Sequence, residues 1–185
     1  MKNSTWSGRF KKGLDKQVLE FSESVSIDHL LFDSDIRVSL AHAEMLGECK
    51  IITKTEAKKL CKGLQQVKKK YYEGKLSLSI KHEDVHMNIE QALTKEVGEL
   101  GKKIHMGRSR NDLVATDFRL YLRDCADLIL AKIKDIRYAV ALVAKANFDV
   151  IFPGYTHMQL AQPVSFGHHL LAWHEMFARD EQRIL

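Results

Sequence analysis

From Asp112 to Ile151 the chain reads DLVATDFRLYLRDCADLILAKIKDIRYAVALVAKANFDVI, with no glycine and no proline. Within it Leu122, Ala126, Ile129, Ile133, Ile136, Val140 and Val143 alternate spacings of four and three, the heptad-like seam of a helix that packs on another helix. Leu128, Leu130 and Leu142 lie beside that seam, so the helix needs more than one neighbour. About 40 residues at ~1.5 Å each give a rod of roughly 60 Å. A compact globule of this chain length has a radius of gyration of about 16 Å and is roughly 40 Å across. The rod overshoots such a globule. An elongated helical bundle is therefore expected, with partners from other chains.

Downstream, Pro153-Gly154 are expected to break this helix and force a turn, and Gln162-Pro163 to open the next helix. Val164 to Leu185 is apolar at Phe166, Leu170, Leu171, Trp173 and Phe177 and polar from Arg179 to Arg183. No capping glycine closes it, as in a chain cut in mid-helix. Upstream, Ser109 is a plausible N-cap with Asp112 three positions on. Glu83 to Val97 reads as a helix ended by Gly98 and Gly101. Thr53-Lys54-Thr55-Glu56 is a capping box for a helix through Tyr72, closed near Gly74. Ile27 to Glu48 carries another helical stripe. Leu14 to Glu23 could form a short helix, and Met1 to Gly13 reads as an irregular arm anchored by Trp6 and Phe10. No segment alternates convincingly like a strand. The fold class is all-α. A small N-terminal helical domain over 1–105 is followed by the first part of a central helical-bundle domain over 106–185, the junction lying in the glycine-punctuated connection near Lys102-Lys103.

Composition bounds the function. The chain has 185 residues, 45% hydrophobic and 29% charged, enough to bury a core in an ordinary globular protein. Its net charge of +5 leaves nucleic acid, a membrane surface or an anionic small substrate as partners. No apolar run approaches the ~20 residues that span a bilayer. Met1 to Phe10 has no hydrophobic signal core, so a cytoplasmic protein is expected. Cys49, Cys61 and Cys125 are widely spaced and read as reduced structural thiols.

Chemistry concentrates in two segments. In Gly107-Arg108-Ser109-Arg110-Asn111-Asp112, a helix N-terminus presents free N–H groups and a partial positive charge. Arginine can grip a carboxylate with two prongs, and asparagine can donate a further bond. The segment suits a carboxylate or a phosphate, although a capped helix whose arginines pair with nearby acids would look the same. In Gly154-Tyr155-Thr156-His157-Met158-Gln159-Leu160-Ala161-Gln162-Pro163, His157 can exchange protons near neutrality and Thr156 can donate to a carboxylate. The plainer reading of that histidine is a loop residue satisfied by backbone carbonyls.

Taken together, His105-Met106-Gly107-Arg108-Ser109-Arg110-Asn111-Asp112 with Val114-Ala115-Thr116-Asp117, and Pro153-Gly154-Tyr155-Thr156-His157 through Gln162-Pro163, resemble the first two signatures of the argininosuccinate lyases, in the fumarase and aspartase superfamily. Trp6-Ser7-Gly8-Arg9-Phe10, Ser24 with Asp28, and Glu83-Asp84-Val85-His86 are similar too, so the resemblance covers the chain in order. Met106, Leu113 and Leu160 depart from it, standing where threonine, glutamine and arginine are usual. The family's third signature, a flexible Gly-Ser-Ser loop followed by Met-Pro-x-Lys-x-Asn-Pro, does not occur in this sequence.

The resemblance implies elimination of arginine from argininosuccinate to leave fumarate, with no cofactor and no metal. It implies His157 as proton donor or relay. Ser24, Arg110, Asn111 and Thr156 would hold the succinyl carboxylates, Ser109 would lie close by, and His86 and Gln159 would shape the pocket. It also implies a homotetramer whose sites draw on several subunits. Since the family's base is a serine of the missing loop, this chain alone is expected to be inactive.

Two other readings compete. His82-Glu83-Asp84-Val85-His86 matches the H-E-x-x-H pattern of zinc peptidases, which needs both histidines on one helix face. Lys58-Lys59, Lys62, Lys68-Lys69-Lys70 and Lys102-Lys103 could mark a basic helical binding module. They lack interleaved aromatics or a docking motif, so solvated helix faces are expected and no nucleic acid.

Overall fold

The structure is a computed structural model and describes residues 15–185; the arm Met1–Gly13, with the Trp6–Phe10 stretch, lies outside them. Helices dominate, as expected. They are α1 (Lys16–Ser22), α2 (Val25–Asp28), α3 (Phe32–Glu48), α4 (Lys54–Tyr72), α5 (Val85–Val97), α6 (Arg110–Ala146) and α7 (Phe166–Ile184). A hairpin of β1 (Ile151–Thr156) and β2 (Gln159–Ser165) separates the last two. The chain forms two compact units, one reaching Tyr121 and the other running from Leu122 to Leu185. Their division falls inside α6.

The first unit holds the hydrophobic core. Phe32, Ile36, Ala43 and Leu46 recur at helical spacing on α3 and are buried against Leu60, Leu64 and Val67 of α4 and Val85, Ile89 and Leu93 of α5. Phe32 also stacks on Tyr71, the ring centroids 3.9 Å apart. The stripe expected over Ile27–Glu48 is split. Residues His29–Leu31 form a 3-10 turn between α2 and α3, and Asp28 accepts the N–H of Val85 instead of continuing one helix. At the α3–α4 crossing, a Cβ on Gly47 would stand 2.7 Å from that of Ala57, so glycine sets the approach. The Thr53 box forms as expected: Thr53 Oγ1 accepts from the Glu56 N–H at 3.1 Å, and the Glu56 carboxylate accepts from the Thr53 N–H at 2.9 Å. Gly74 and Gly98, at φ +69° and +70°, close α4 and α5 in the left-handed region open to glycine.

The second unit departs from the sequence reading in three ways. The long helix stops at Ala146, well before Pro153. The segment expected to be loop is an antiparallel hairpin, with Ile151 paired to Ser165 and Thr156 to Gln159. Pro163 does not open a helix; it lies in β2 opposite Pro153, and α7 begins at Phe166 under a Ser165 cap. In a two-stranded ribbon each strand keeps a free edge, so proline's missing N–H is tolerated there. Phe152 meets Phe166 edge to face at 5.8 Å, fastening the hairpin to α7, and Arg137 of α6 pairs with Glu181 of α7. Gly167 is buried where a Cβ would come within 2.9 Å of the Ala144 carbonyl. The apolar seam is otherwise open. Ile133 and Ala144 are buried, whereas Leu122, Ile129, Ile136 and Val143 are 43–50% exposed.

Candidate active site

The N-terminus of α5 gathers several of the expected residues. Asp84 caps it, accepting the Met87 N–H at 2.6 Å. Glu83, just before, is left-handed at φ +67°, and its carbonyl accepts the N–H groups of Ser24 and Val25. Ser24 Oγ donates to Asp28 at 2.6 Å, and Asp28 accepts the Val85 N–H at 3.0 Å. Arg110 faces the same helix, its Nε 3.8 Å from Asp84 and its Nη2 4.0 Å from Glu90. Ser24 and Arg110 thus come to one place through Asp28, Asp84 and the first turn of α5.

The start of α6 is built as a reciprocal cap. The Ser109 N–H donates to Asp112 at 2.8 Å, and the Asp112 N–H donates to Ser109 Oγ at 3.2 Å. Gly107 turns the chain into it at φ +74°. Ser109 and Asn111 are exposed beside the helix N-terminus, where N–H groups and the helix dipole favour an anion. His42 of α3 holds the approach, its Nε2 2.8 Å from the Met106 carbonyl. Burial first, then Arg108 and His105, depress the His42 pKa against that bond.

His86 is not at this surface. It is 3% exposed, with Nδ1 2.7 Å from Asp35 Oδ2 and 3.4 Å from Asp117 Oδ2. Asp35 accepts from Ser39 Oγ at 2.7 Å, and Ser39 Oγ accepts from Arg108 Nη2 at 3.1 Å. Among the described residues, Asp35, His86 and Asp117 are the one set whose ligand-type atoms converge within 4.8 Å. Two carboxyl groups thus face one imidazole, with the Arg108 guanidinium held alongside through Ser39. Burial pulls the His86 pKa down, but the hydrogen bond and charge of Asp35, with Asp84 and Asp117, outweigh it and leave it raised. Burial, reinforced by Asp35, pushes the Asp117 carboxyl up to about 7, against His86, Arg108 and Arg110. The space beside Asp35, Ser39, His86 and Arg108 is about 10 Å³. That is room for roughly one water and no dicarboxylate.

The H-E-x-x-H pattern does not form a peptidase site. His82 ends a 3-10 turn, Glu83 is left-handed, and only His86 lies on α5.

Thr156, His157 and Gln159 surround the tip of the hairpin in the second unit. Thr156 pairs with Gln159, and His157 and Met158 make the reversal at φ +51° and +63°. Two consecutive left-handed residues are the geometry of a type I′ turn, usually made by asparagine and glycine. All four residues are exposed.

The reading of the sequence missed Asp35, Arg108 and Asp117 as a group. Their signal was an acid on an apolar face. Asp35 and Ser39 lie on the buried stripe of α3, and Asp117 follows buried Leu113 by one helical turn.

A mostly helical chain with an anion-suited helix start and a histidine-tipped hairpin fits a lyase, and the family described as Lyase matches residues 8–185. The chain belongs to that family. Within it, argininosuccinate lyase of Nitrosococcus oceani is 48% identical over 97% of this chain and 38% of its own length. That of Pelotomaculum thermopropionicum is 48% identical over 97% and 39%. The chain thus spans under two fifths of the curated relatives it matches. Among solved structures, EDDS lyase in complex with formate superposes with a TM-score of 0.73 at 30% identity, over 90% of this chain and 32% of the other. A β-carboxy-cis,cis-muconate cycloisomerase from Acinetobacter calcoaceticus, at 16% identity and a TM-score of 0.67, covers 91% of this chain and 40% of its own and shares the fold alone. No helix among the described residues is long and apolar enough to cross a membrane.

Proposed function

We propose that this chain supplies two of the three signature segments of an argininosuccinate lyase, which eliminates arginine from argininosuccinate and leaves fumarate. The observation that carries this reading is the 48% identity to curated argininosuccinate lyases along 97% of the chain. The capped start of α6 supports it.

Elimination requires a base to take a proton beside a carboxylate, a weakly acidic position. Fixed positive charge and hydrogen-bond donors must then meet the developing dianion, and an acid must assist the departing guanidino group. In this reading Arg110, Asn111 and the N–H groups of α6 meet one carboxylate, Ser109 lies close by, and Ser24 and Thr156 meet the others. His157 gives or relays the proton, and Gln159 orients it. His86 acts from behind the surface. The proton-abstracting serine belongs to the third signature, which this sequence does not contain.

The open seam of α6 supports assembly. A unit of some sixty residues with Ile133 and Ala144 as its buried apolar side chains has little core of its own. A second, third and fourth copy laid along Leu122, Ile129, Ile136 and Val143 would cover it, as in a cytoplasmic homotetramer.

The test follows fumarate formation by its ultraviolet absorbance. The isolated chain should form none from argininosuccinate. Mixed with a polypeptide carrying the third signature, it should become active, and His157→Asn should abolish that gain. Robust turnover by the chain alone would overturn the division of the site, and no turnover by any mixture would overturn the lyase reading.

A further inference from the structure

We propose that Asp117 is a positioning residue. Acting through His86, Asp35 and Ser39, it fixes Arg108 and with it the Ser109–Asn111 turn that opens α6. The proposal rests on the reading of that turn as an anion-holding element.

The contacts run in one line through four segments. Asp117 of α6 meets His86 of α5 at 3.4 Å, His86 meets Asp35 of α3 at 2.7 Å, Ser39 donates to Asp35 at 2.7 Å, and Arg108 before α6 donates to Ser39 at 3.1 Å. The line therefore leaves α6, crosses two core helices and returns to the residue just ahead of the same helix. Such a loop fixes the start of α6 against α3 and α5. His42 holds the Met106 carbonyl from α3 alongside it, and Arg110 is drawn towards Asp84 and Glu90 of α5.

Asp117 is a costly way to fill its place. Its side chain is 0% exposed, and neither carboxylate oxygen has a hydrogen-bond partner, so its compensation is the charge of His86, Arg108 and Arg110. An apolar residue would fit the same face, as Leu113 does one turn earlier. Buried ionisable groups, charged or held neutral, are often no more stabilising than apolar side chains of similar volume, and their best-attested use is to select one arrangement over others. The arrangement selected here is that of Arg108, whose Nε and Nη1 are buried with no other partner. Two outward-facing residues of the turn, Ser109 and Asn111, follow from where Arg108 is pinned.

The test reads the protein's own resonances, with no substrate, so it stands apart from the lyase assay. Asp117→Asn and Ser39→Ala are compared with Leu60→Ala, a core change on α4 outside the network. In the two network variants the Arg108 Nε–H should exchange with solvent about tenfold faster than any loss of protection in the α4 amides explains. The Ser109 and Asp112 amide signals should shift with it. Leu60→Ala should lower protection evenly and leave those signals in place. If Asp117→Asn does not fold, Asp117→Leu makes the same comparison at the same position. The proposal is overturned if the network variants leave Arg108 and the turn as Leu60→Ala does, or if protection falls equally throughout.

Discussion

Asp117 places its Oδ2 atom 3.4 Å from Nδ1 of His86, and neither side chain reaches solvent. Burial of the pair beside Asp35 makes stability depend on pH in a definite direction. The Asp117 carboxyl is pushed up to about 7 by burial and by Asp35, so the folded chain keeps a proton that the unfolded chain releases near its ordinary value of 3.8. Its stabilising contribution is full below that value and is lost as pH rises towards 7. His86 is raised above its ordinary 6.5, chiefly because Asp35 overcomes the effect of burial. Its contribution is full below 6.5 and is lost as pH rises through the higher folded value. Both therefore weaken the fold in the same sense. Urea unfolding should show a loss of about 2 kcal/mol between pH 5.5 and 8, and Asp117→Asn should keep only the part due to His86. A stability that rises over this range would contradict the cluster as described.

The crossing of α3 and α4 should not tolerate a methyl group at position 47. Gly47→Ala sets a Cβ 2.7 Å from that of Ala57, an atom with no rotamer to escape through. Overpacking costs about 1–3 kcal/mol, whereas alanine's helix preference over glycine returns at most about 1 kcal/mol. A net loss is expected from chemical denaturation, and it should shrink in the double variant with Ala57→Gly.

The hairpin tip should gain from glycine. Met158 is 97% exposed at φ +63°, so its side chain contributes strain and little packing. Met158→Gly should stabilise the turn by about 1 kcal/mol, seen as a higher melting temperature. Met158→Ala should not.

Glu56 reports which of its partners dominates. Its carboxyl is held down to about 2, first by Lys103 and then by Thr53. Carbon-detected titration should find it raised more by Lys103→Ala than by Thr53→Ala. The reverse order would mean that the helix cap, not the lysine 2.6 Å away, sets its charge.

What was legible in the sequence was local. The Thr53 box and the Ser109–Asp112 cap each close over three residues, so spacing alone revealed them. The long α6 was equally plain, because nothing between Asp112 and Ala146 interrupts it. The hairpin was hidden. Its turn is made by histidine and methionine, which carry no turn signal, and its strands each hold a proline that argues against pairing. The buried cluster was hidden for a different reason: Asp35 and His86 are 51 positions apart, and Arg108 and Ser39 are 69. A five-residue pattern around His86 suggested zinc, but one left-handed residue, Glu83, removes the continuous helix that pattern needs.

His157 and His86 differ in one more respect that follows from the hairpin. The backbone under His157 is fixed by a two-residue reversal while its imidazole stands uncovered, whereas His86 is sealed behind α3 and α6. An acylating reagent near neutrality would mark the first long before the second. The order of labelling could then be followed by mass, telling a folded chain from an opened one without any substrate at hand.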